Sequence, residues 1–280
     1  MTDFTFSPNL ADRVIIVTGG GRGLGRIMAL ALLEHGARVV ITSARQKSEL
    51  NAVEQEAEQV AEPGRLLAHQ ADVTNPDMCE TVVAKTLETF GEVYGLINNA
   101  GRGMRLISET FNTDPTKFWE ASVDAWKTII DTNVNGAFYM SRAAAPHMIK
   151  AGKGTIINIS TSTITMVRKG YSPYGASKAA LEAFSRAWAD DLEGTGVTVN
   201  VLLPGGATDT ELLPPDHRHG ADGKLLSPDL MVQPTLWLCS DEGKNVSGRR
   251  FIAKFWEDRT SLEDAVKECI QPAPKLPSIL

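Results

Sequence analysis

The chain is expected to form one α/β domain, a doubly wound sheet of seven parallel strands with helices on both faces. Three observations lead there. Short apolar runs recur along the chain, and a strand that is apolar throughout is buried on both faces. An amphipathic or polar stretch of helical length separates each run from the next, which is the alternation that builds parallel sheets. No linker divides residues 1–256, and 280 residues make a domain that hides roughly 75% of its unfolded surface.

The elements follow in order. Val14-Ile15-Ile16-Val17 is the first strand; a glycine cluster and a helix to about His35 come next. Arg38 to Ile41 is the second strand, and a polar helix rich in Glu and Gln runs to about Ala61. Leu66-Leu67-Ala68 is the third, with a helix to about Phe90, and Leu96-Ile97-Asn98 is the fourth. One long helical region covers Val123 to Lys150, then Thr155 to Ile159 forms the fifth strand. A helix from Tyr174 to about Glu193 leads to the sixth, Val197 to Leu203. A last helix is expected near Pro228 to Cys239 and a last strand near Arg250 to Phe255. Residues 257–280 change character. They hold one short helical piece and then Pro272, Pro274 and Pro277, and read as a tail on the surface or on a neighbouring subunit. Two long loops, 102–122 and 205–227, should follow the carboxyl ends of strands, where open α/β sheets bind ligands.

Composition excludes several classes. A net charge of −6 argues against broad electrostatic binding to nucleic acid or an acidic membrane. No apolar run approaches the ~20 residues of a membrane span, and the opening MTDFTFSPNL has no features of a signal peptide. Cys79, Cys239 and Cys269 are odd in number and far apart, which suits a reducing compartment and neither a disulfide framework nor a zinc site. The expected location is the cytoplasm. His217-Arg218-His219 has the look of a metal-ligand pair but stands among Pro214, Pro215 and Gly220; a polar loop tip is expected there, and no metal.

Thr18-Gly19-Gly20-Gly21-Arg22-Gly23-Leu24-Gly25 lies between the first strand and the first helix. Gly19 permits a sharp turn, Gly23 a close approach of backbone to a pyrophosphate, and Gly25 tight packing of helix on strand. The helix N-terminus then offers free N–H groups and a partial positive charge to phosphates. In that setting the loop predicts a dinucleotide site and a Rossmann-type domain. The second strand ends in Ile41-Thr42-Ser43-Ala44-Arg45, without an acid to accept a ribose 2′-hydroxyl. Arg22 and Arg45, with the hydroxyls of Thr42 and Ser43, favour NADP over NAD.

Tyr174-Gly175-Ala176-Ser177-Lys178 sets a tyrosine and a lysine four apart on one helix face. A phenol with a pKa near ~10 is a poor acid or base at neutral pH, and an adjacent ammonium would lower it. Asn158-Ile159-Ser160-Thr161-Ser162 ends the preceding strand and offers hydroxyls to the same pocket; Asn133 stands in the middle of the long helix. A glycine loop alone also fits a methyltransferase, but Tyr174 and Lys178 do not.

Together these residues resemble the classical short-chain dehydrogenase/reductase family, over roughly Leu10 to Trp256. The matching motifs are Thr18-Gly19-x-x-x-Gly23-x-Gly25, Asp72-Val73, Asn98-Asn99-Ala100-Gly101, Asn133, Tyr174-x-x-x-Lys178 and Pro204-Gly205. The resemblance implies hydride transfer between a nicotinamide cofactor and a carbonyl or secondary alcohol, in a homodimer or homotetramer. It implies that Gly19, Gly21, Arg22, Gly23, Leu24, Ser43, Arg45, Asp72, Val73, Asn99, Ala100, Gly101, Pro204 and Gly205 hold the cofactor. Tyr174 would exchange the proton, Lys178 would lower its pKa and hold the nicotinamide ribose, and Asn133 would anchor a water. Asp72 as a cap, Asn99 as a tie for loop backbone and Pro204-Gly205 as a turn are the plainer alternatives. The family's substrate-orienting serine, thirteen positions before the tyrosine, is replaced by Thr161, with Ser162 the second choice. The glycine-rich turn that often ends the last strand is replaced by Phe255-Trp256-Glu257. An NADP-binding sensor or scaffold without turnover is the alternative function. Phe118 and Trp119 either line the pocket or pin the loop, and Arg168 with Lys169 read as solvated charge, with contact to an anionic substrate as the alternative.

Overall fold

The computed structural model describes residues 5–11, 13–215, 223–257 and 259–271. Seven parallel strands form the sheet: β1 (Val14–Val17), β2 (Arg38–Ser43), β3 (Leu66–Gln70), β4 (Gly95–Asn98), β5 (Gly154–Ile159), β6 (Val197–Leu203) and β7 (Arg250–Ile252). An eighth, β8 (Ile270–Gln271), pairs antiparallel with β7 in the register Arg250↔Gln271 and Phe251↔Ile270. The order is β3-β2-β1-β4-β5-β6-β7-β8. It reverses between β1 and β4, and a crevice opens there at the carboxyl ends of the strands.

The helices are α1 (Gly23–Glu34), α2 (Lys47–Val60), α3 (Pro76–Phe90), α4 (Val123–Ile130), α5 (Gly136–Ala151), α6 (Thr163–Met166), α7 (Ser172–Asp191), α8 (Val232–Leu238) and α9 (Leu262–Cys269). Side chains alternate across each strand, so the sheet feeds two cores. Ile15, Val17, Val39 and Ile41 face one core with Met28 and Leu32 of α1 and Leu236 of α8. Ile16, Val40, Leu96 and Ile156 face the other, with Val82 of α3 and Met140 of α5. The fold is therefore a Rossmann-like α/β domain covered on both faces.

Four local readings change. The third strand runs on to Gln70. The long helix of residues 123–150 is interrupted by a π turn, Asp131–Asn135, between α4 and α5. The last helix begins as a 3-10 turn, Pro228–Met231. β7 stops at Ile252, and Ala253–Phe255 is a 3-10 turn that tucks Trp256 against Trp237, ring centres 6.4 Å apart. Beyond it Ser261 caps α9, whose Ala265 and Cys269 are buried in the first core, and β8 then covers the β7 edge. An edge strand with open N–H and C=O groups recruits such a partner. A two-residue strand carries no periodic signal, which is why the pattern of residues showed only a tail. Pro272, Pro274, Pro277 and the His217-Arg218-His219 stretch lie outside the described residues.

Candidate active site

The crevice at the switch point is a cleft of about 1030 Å³. Among the expected site residues it is lined by Gly19, Arg22, Gly23, Leu24, Ser43, Arg45, Asp72, Val73, Asn99, Ala100, Gly101, Thr161, Ser162, Tyr174, Lys178, Pro204 and Gly205. Gly21 and Asn133 stand behind the wall. A Cβ on Gly21 would meet the Glu49 side chain at 2.9 Å, so this glycine serves the packing of α2 on the loop.

The glycine loop is held from β4. Thr18 Oγ1 accepts the N–H groups of Asn99 at 3.1 Å and Ala100 at 3.0 Å. Asn99 Nδ2 returns bonds to the carbonyls of Thr18 and Gly19 at 2.9 and 3.1 Å. Asn99 thus ties down loop backbone. Gly25 is required: a Cβ there would lie 2.3 Å from the Gly19 carbonyl oxygen. Gly23 opens α1 at φ 53°, which a side chain tolerates poorly. No side chain caps the start of α1 and its first turn has no acid, so its N–H groups and positive dipole end remain for an anion. The donor set fits a dinucleotide pyrophosphate.

The end of the cleft beside β2 differs from the sequence expectation in one respect. No acid ends β2, yet the fold brings one from the first turn of α2. Glu49 accepts a 3.0 Å bond from Ser43 Oγ and lies 3.6 Å from the Arg22 guanidinium. Arg102, immediately after Gly101, also lines the cleft. Burial pulls its pKa down, and the nearby charges of Arg45 and Arg22 add to the effect. Three cations and the carboxylates of Asp72 and Glu49 therefore share this end. Asp72 Oδ1 accepts from Thr74 N at 3.0 Å and from its hydroxyl at 2.8 Å, while Asn75 caps α3. Glu49 and Arg102 were missed by the motif reading. Glu49 sits six residues past Ser43 in the helix that starts above the strand end, and Arg102 adjoins a motif glycine; those positions were the available signals.

At the other end α7 presents Tyr174, half-buried, and Lys178, buried. Lys178 Nζ donates to the Ile159 carbonyl at 2.7 Å. Burial pushes the Tyr174 phenol up to about 12; the Thr161 side chain opposes this by hydrogen bonding, and nearby Tyr171 adds to it. Burial lowers Lys178 to about 8, partly offset by Glu182. Tyr174 is thus a neutral phenol at pH 7, where an ammonium-lowered value was expected. Desolvation raises it more than the Thr161 hydrogen bond lowers it. Thr161 is the hydroxyl that meets Tyr174. Ser162 turns away to cap α6, accepting from Thr165 N at 3.2 Å.

Asn133, on the π turn, is 1% exposed. Its Oδ1 accepts Arg102 N–H at 2.7 Å, and its Nδ2 donates to the Arg102 carbonyl at 3.0 Å and to Ser177 Oγ at 2.9 Å. Ser177 Oγ in turn donates to the Tyr174 carbonyl at 2.7 Å. The asparagine amide thereby clamps the start of loop 102–122 to the tyrosine helix. Behind Thr161, Arg250 of β7 donates to its carbonyl at 2.8 Å and pairs with Glu182 at 3.0 Å.

Beyond Tyr174 the cleft is walled by Met104, Phe111 and Tyr171, a buried cluster against which Tyr174 and Leu213 pack. Phe118 and Trp119 pack edge-to-face on each other, two-thirds exposed, and do not line the cleft. Arg168 does line it, its guanidinium 4.8 Å from the Tyr171 ring centre; Lys169 is exposed outside. Pro204 and Gly205 border the cleft at the end of β6, and Lys254 N bonds the Pro204 carbonyl at 3.0 Å. Among the described residues no group of three His, Cys, Asp or Glu side chains is placed to hold a metal, and no helix is long and apolar enough to cross a membrane.

Comparison with known proteins agrees with this architecture. The family model described as short chain dehydrogenase matches residues 13–219. The 3-oxoacyl-[acyl-carrier-protein] reductase FabG of Thermotoga maritima is 30% identical over 247 residues, 86% of this chain and 95% of that protein. NADPH-dependent aldehyde reductase 2, chloroplastic, of Arabidopsis thaliana is 31% identical over 262 residues, 87% of this chain and 93% of that protein. A crystal structure of a dehydrogenase/reductase from Sinorhizobium meliloti 1021 superposes with a TM-score of 0.75 at 31% identity, covering 87% of this chain and 94% of that one. With its glycine loop, its switch-point cleft and its tyrosine–lysine helix, the chain belongs to the short-chain dehydrogenase/reductase family and is an NAD(P)-dependent oxidoreductase.

Proposed function

We propose that the chain reduces a small-molecule carbonyl with NADPH, or oxidises the corresponding secondary alcohol in reverse, with Tyr174 as the general acid/base. The observation that carries this is the meeting of Tyr174, Thr161 and Lys178 in the cleft that the glycine loop opens on. The cofactor, when bound, supplies the hydride.

The protein's own part is binding, orientation and the proton. Gly19 to Leu24 and the α1 N-terminus take the pyrophosphate; Asp72 and Val73 border the adenine; Asn99, Ala100, Gly101, Pro204 and Gly205 border the rest. The neutral phenol of Tyr174 is in the protonation state that gives a proton to a developing alkoxide. The Thr161 hydroxyl donates a second hydrogen bond to that oxygen, and Lys178 holds positive charge beside the ribose hydroxyls. Arg22, Arg45 and Arg102 favour a 2′-phosphate, and the naming of the Arabidopsis relative for NADPH accords with this. Glu49 favours the opposite, a free 2′-hydroxyl, so NAD is the second reading.

The three cysteines are free and buried, in keeping with a cytoplasmic enzyme. A homodimer or homotetramer through α5 and α7 is the expected assembly, supported by the aromatic cluster of Phe138, Phe184 and Trp188 on those helices; sedimentation velocity reads it.

The test is fluorescence titration of the purified chain with NADPH and NADH, followed by a carbonyl screen with wild type and Tyr174→Phe. Tyr174→Phe should bind cofactor normally and lose turnover by about 100- to 1,000-fold, the usual cost of one preorganised donor. Wild-type turnover in the variant removes Tyr174 from the chemistry. Tight binding with no turnover of any carbonyl makes the chain a sensor or scaffold.

A further inference from the structure

We infer that Arg250 and Glu182 form a positioning brace that aims the Thr161 hydroxyl at Tyr174 and sets a carboxylate beside Lys178. The inference rests on the proposed roles of those three residues. Neither Arg250 nor Glu182 lines the cleft.

The geometry begins with one guanidinium. Arg250 stands at the start of β7, two strands away from β5. Its Nε donates to both Glu182 oxygens at 3.0 Å, its Nη2 to the Thr161 carbonyl at 2.8 Å, and its Nη1 to Gln271 Oε1 at 2.5 Å. One planar fork therefore ties α7, the segment after β5, and β8. Glu182 is equally committed, since it also accepts the Ser160 hydroxyl at 2.6 Å. Ser160 is held by its side chain and Thr161 by its carbonyl. The Thr161 side chain is what this two-residue segment leaves for Tyr174.

The electrostatics point the same way. The pair is 16% and 20% exposed. A mostly buried ion pair gains little net stability over well-packed apolar residues, and its best-attested use is to specify an arrangement. Glu182 is four residues past Lys178 on one helix face and is the charge that supports the Lys178 ammonium against burial. Lys178 Nζ also donates to the Ile159 carbonyl of β5, Tyr174 precedes it by four residues on its own helix, and Asn133 Oδ1 and Lys178 Nζ both stand close to Gly101. Arg250, on β7, faces Glu182 from the other side. Arginine is needed because an ammonium has no planar fork to reach three partners at once. Gln271 gives residues beyond the last parallel strand a part in this: the β7–β8 pairing supplies the third partner that orients the fork.

The experiment uses the full chain with Arg250→Lys, Arg250→Met and Glu182→Gln. Thermal melting and NADPH titration establish that each variant folds and binds. The titration of Lys178, read by NMR of ¹³Cε-labelled lysine without cofactor or substrate, should fall about one pH unit in Glu182→Gln, since an opposite charge nearby shifts a pKa by that order. In Arg250→Met it should move the other way. Turnover is read with 1-phenyl-1,2-propanedione and NADPH. Arg250→Lys should lose about tenfold to a hundredfold in kcat with KM nearly unchanged, the cost of a small misplacement at the reacting centre. An unmoved Lys178 titration in Glu182→Gln, or wild-type kcat in Arg250→Lys, overturns the brace. A wild type that turns over no carbonyl of the screen but whose Lys178 responds as stated overturns the reductase reading and supports the brace.

Discussion

Asn133→Ala should destabilise the fold more than any other single change at the site that leaves the cleft wall intact. The side chain is fully buried, and its amide makes three hydrogen bonds: to the N–H and C=O of Arg102 and to Ser177 Oγ. At a net value of about 1 kcal/mol each, their loss costs about 3 kcal/mol. Leaving the Arg102 N–H buried without a partner adds about 1–3 kcal/mol, while alanine returns about 0.5 kcal/mol through its better helix propensity. Together these come to about 3.5–5.5 kcal/mol, so at about 2–4 °C per kcal/mol for a domain of this size melting should fall by roughly 7–22 °C. The loss should be local first, because the released segment is the start of loop 102–122. Limited trypsin digestion should then cut at Arg102 and Arg105 faster than in wild type. Asn133→Asp keeps the acceptor for Arg102 N–H and loses both donors, so it should lie between the two. A variant that melts within about 1 °C of wild type and resists trypsin equally would refute the clamp and return Asn133 to a purely chemical role.

Three further outcomes are expected. Lys178 loses its proton near pH 8, so carbonyl reduction should be level below that and decline above it; a Lys178→Met enzyme that still shows the decline would show that another group titrates. The linked stability terms have opposite signs. Tyr174, raised to about 12, contributes stability below pH ~10 that is lost as pH rises towards its folded value, whereas Lys178, lowered to about 8, weighs against the fold at neutral pH and is relieved between pH ~8 and ~10.5. Glu49→Gln removes the carboxylate beside Arg22 and Ser43 and should tighten NADPH more than NADH; equal changes for both would detach Glu49 from the 2′ position. Cys79, Cys239 and Cys269 are buried, with thiols pushed up to about 12 by desolvation, so native protein should resist iodoacetamide and take three labels only after unfolding; fast labelling of any one in the native state would contradict its burial.

Local and periodic features were legible in the residues alone. Apolar runs such as Val14–Val17 bury on both faces wherever they pair, so the parallel sheet and the order of its elements were legible. The glycines between β1 and α1, and the Tyr174–Lys178 spacing on one helix face, are constraints within a few residues, and motif order carried the family. Contacts made across the sheet became visible only in the folded chain. Glu49 stands six residues past Ser43, but whether it folds back onto it depends on where α2 starts above β2. Family spacing preferred Thr161 with Ser162 as second choice; the start of α6, which takes Ser162 as its cap, is what separates the two in space. The π turn that buries Asn133 depends on the packing of α4 and α5 against α7. The Arg250 fork joins residues 161, 182, 250 and 271, separations over which no pattern of residue types specifies a hydrogen bond. Backbone preferences act over a turn or two, and side-chain partners at such distances are chosen only when the sheet has brought its strands together.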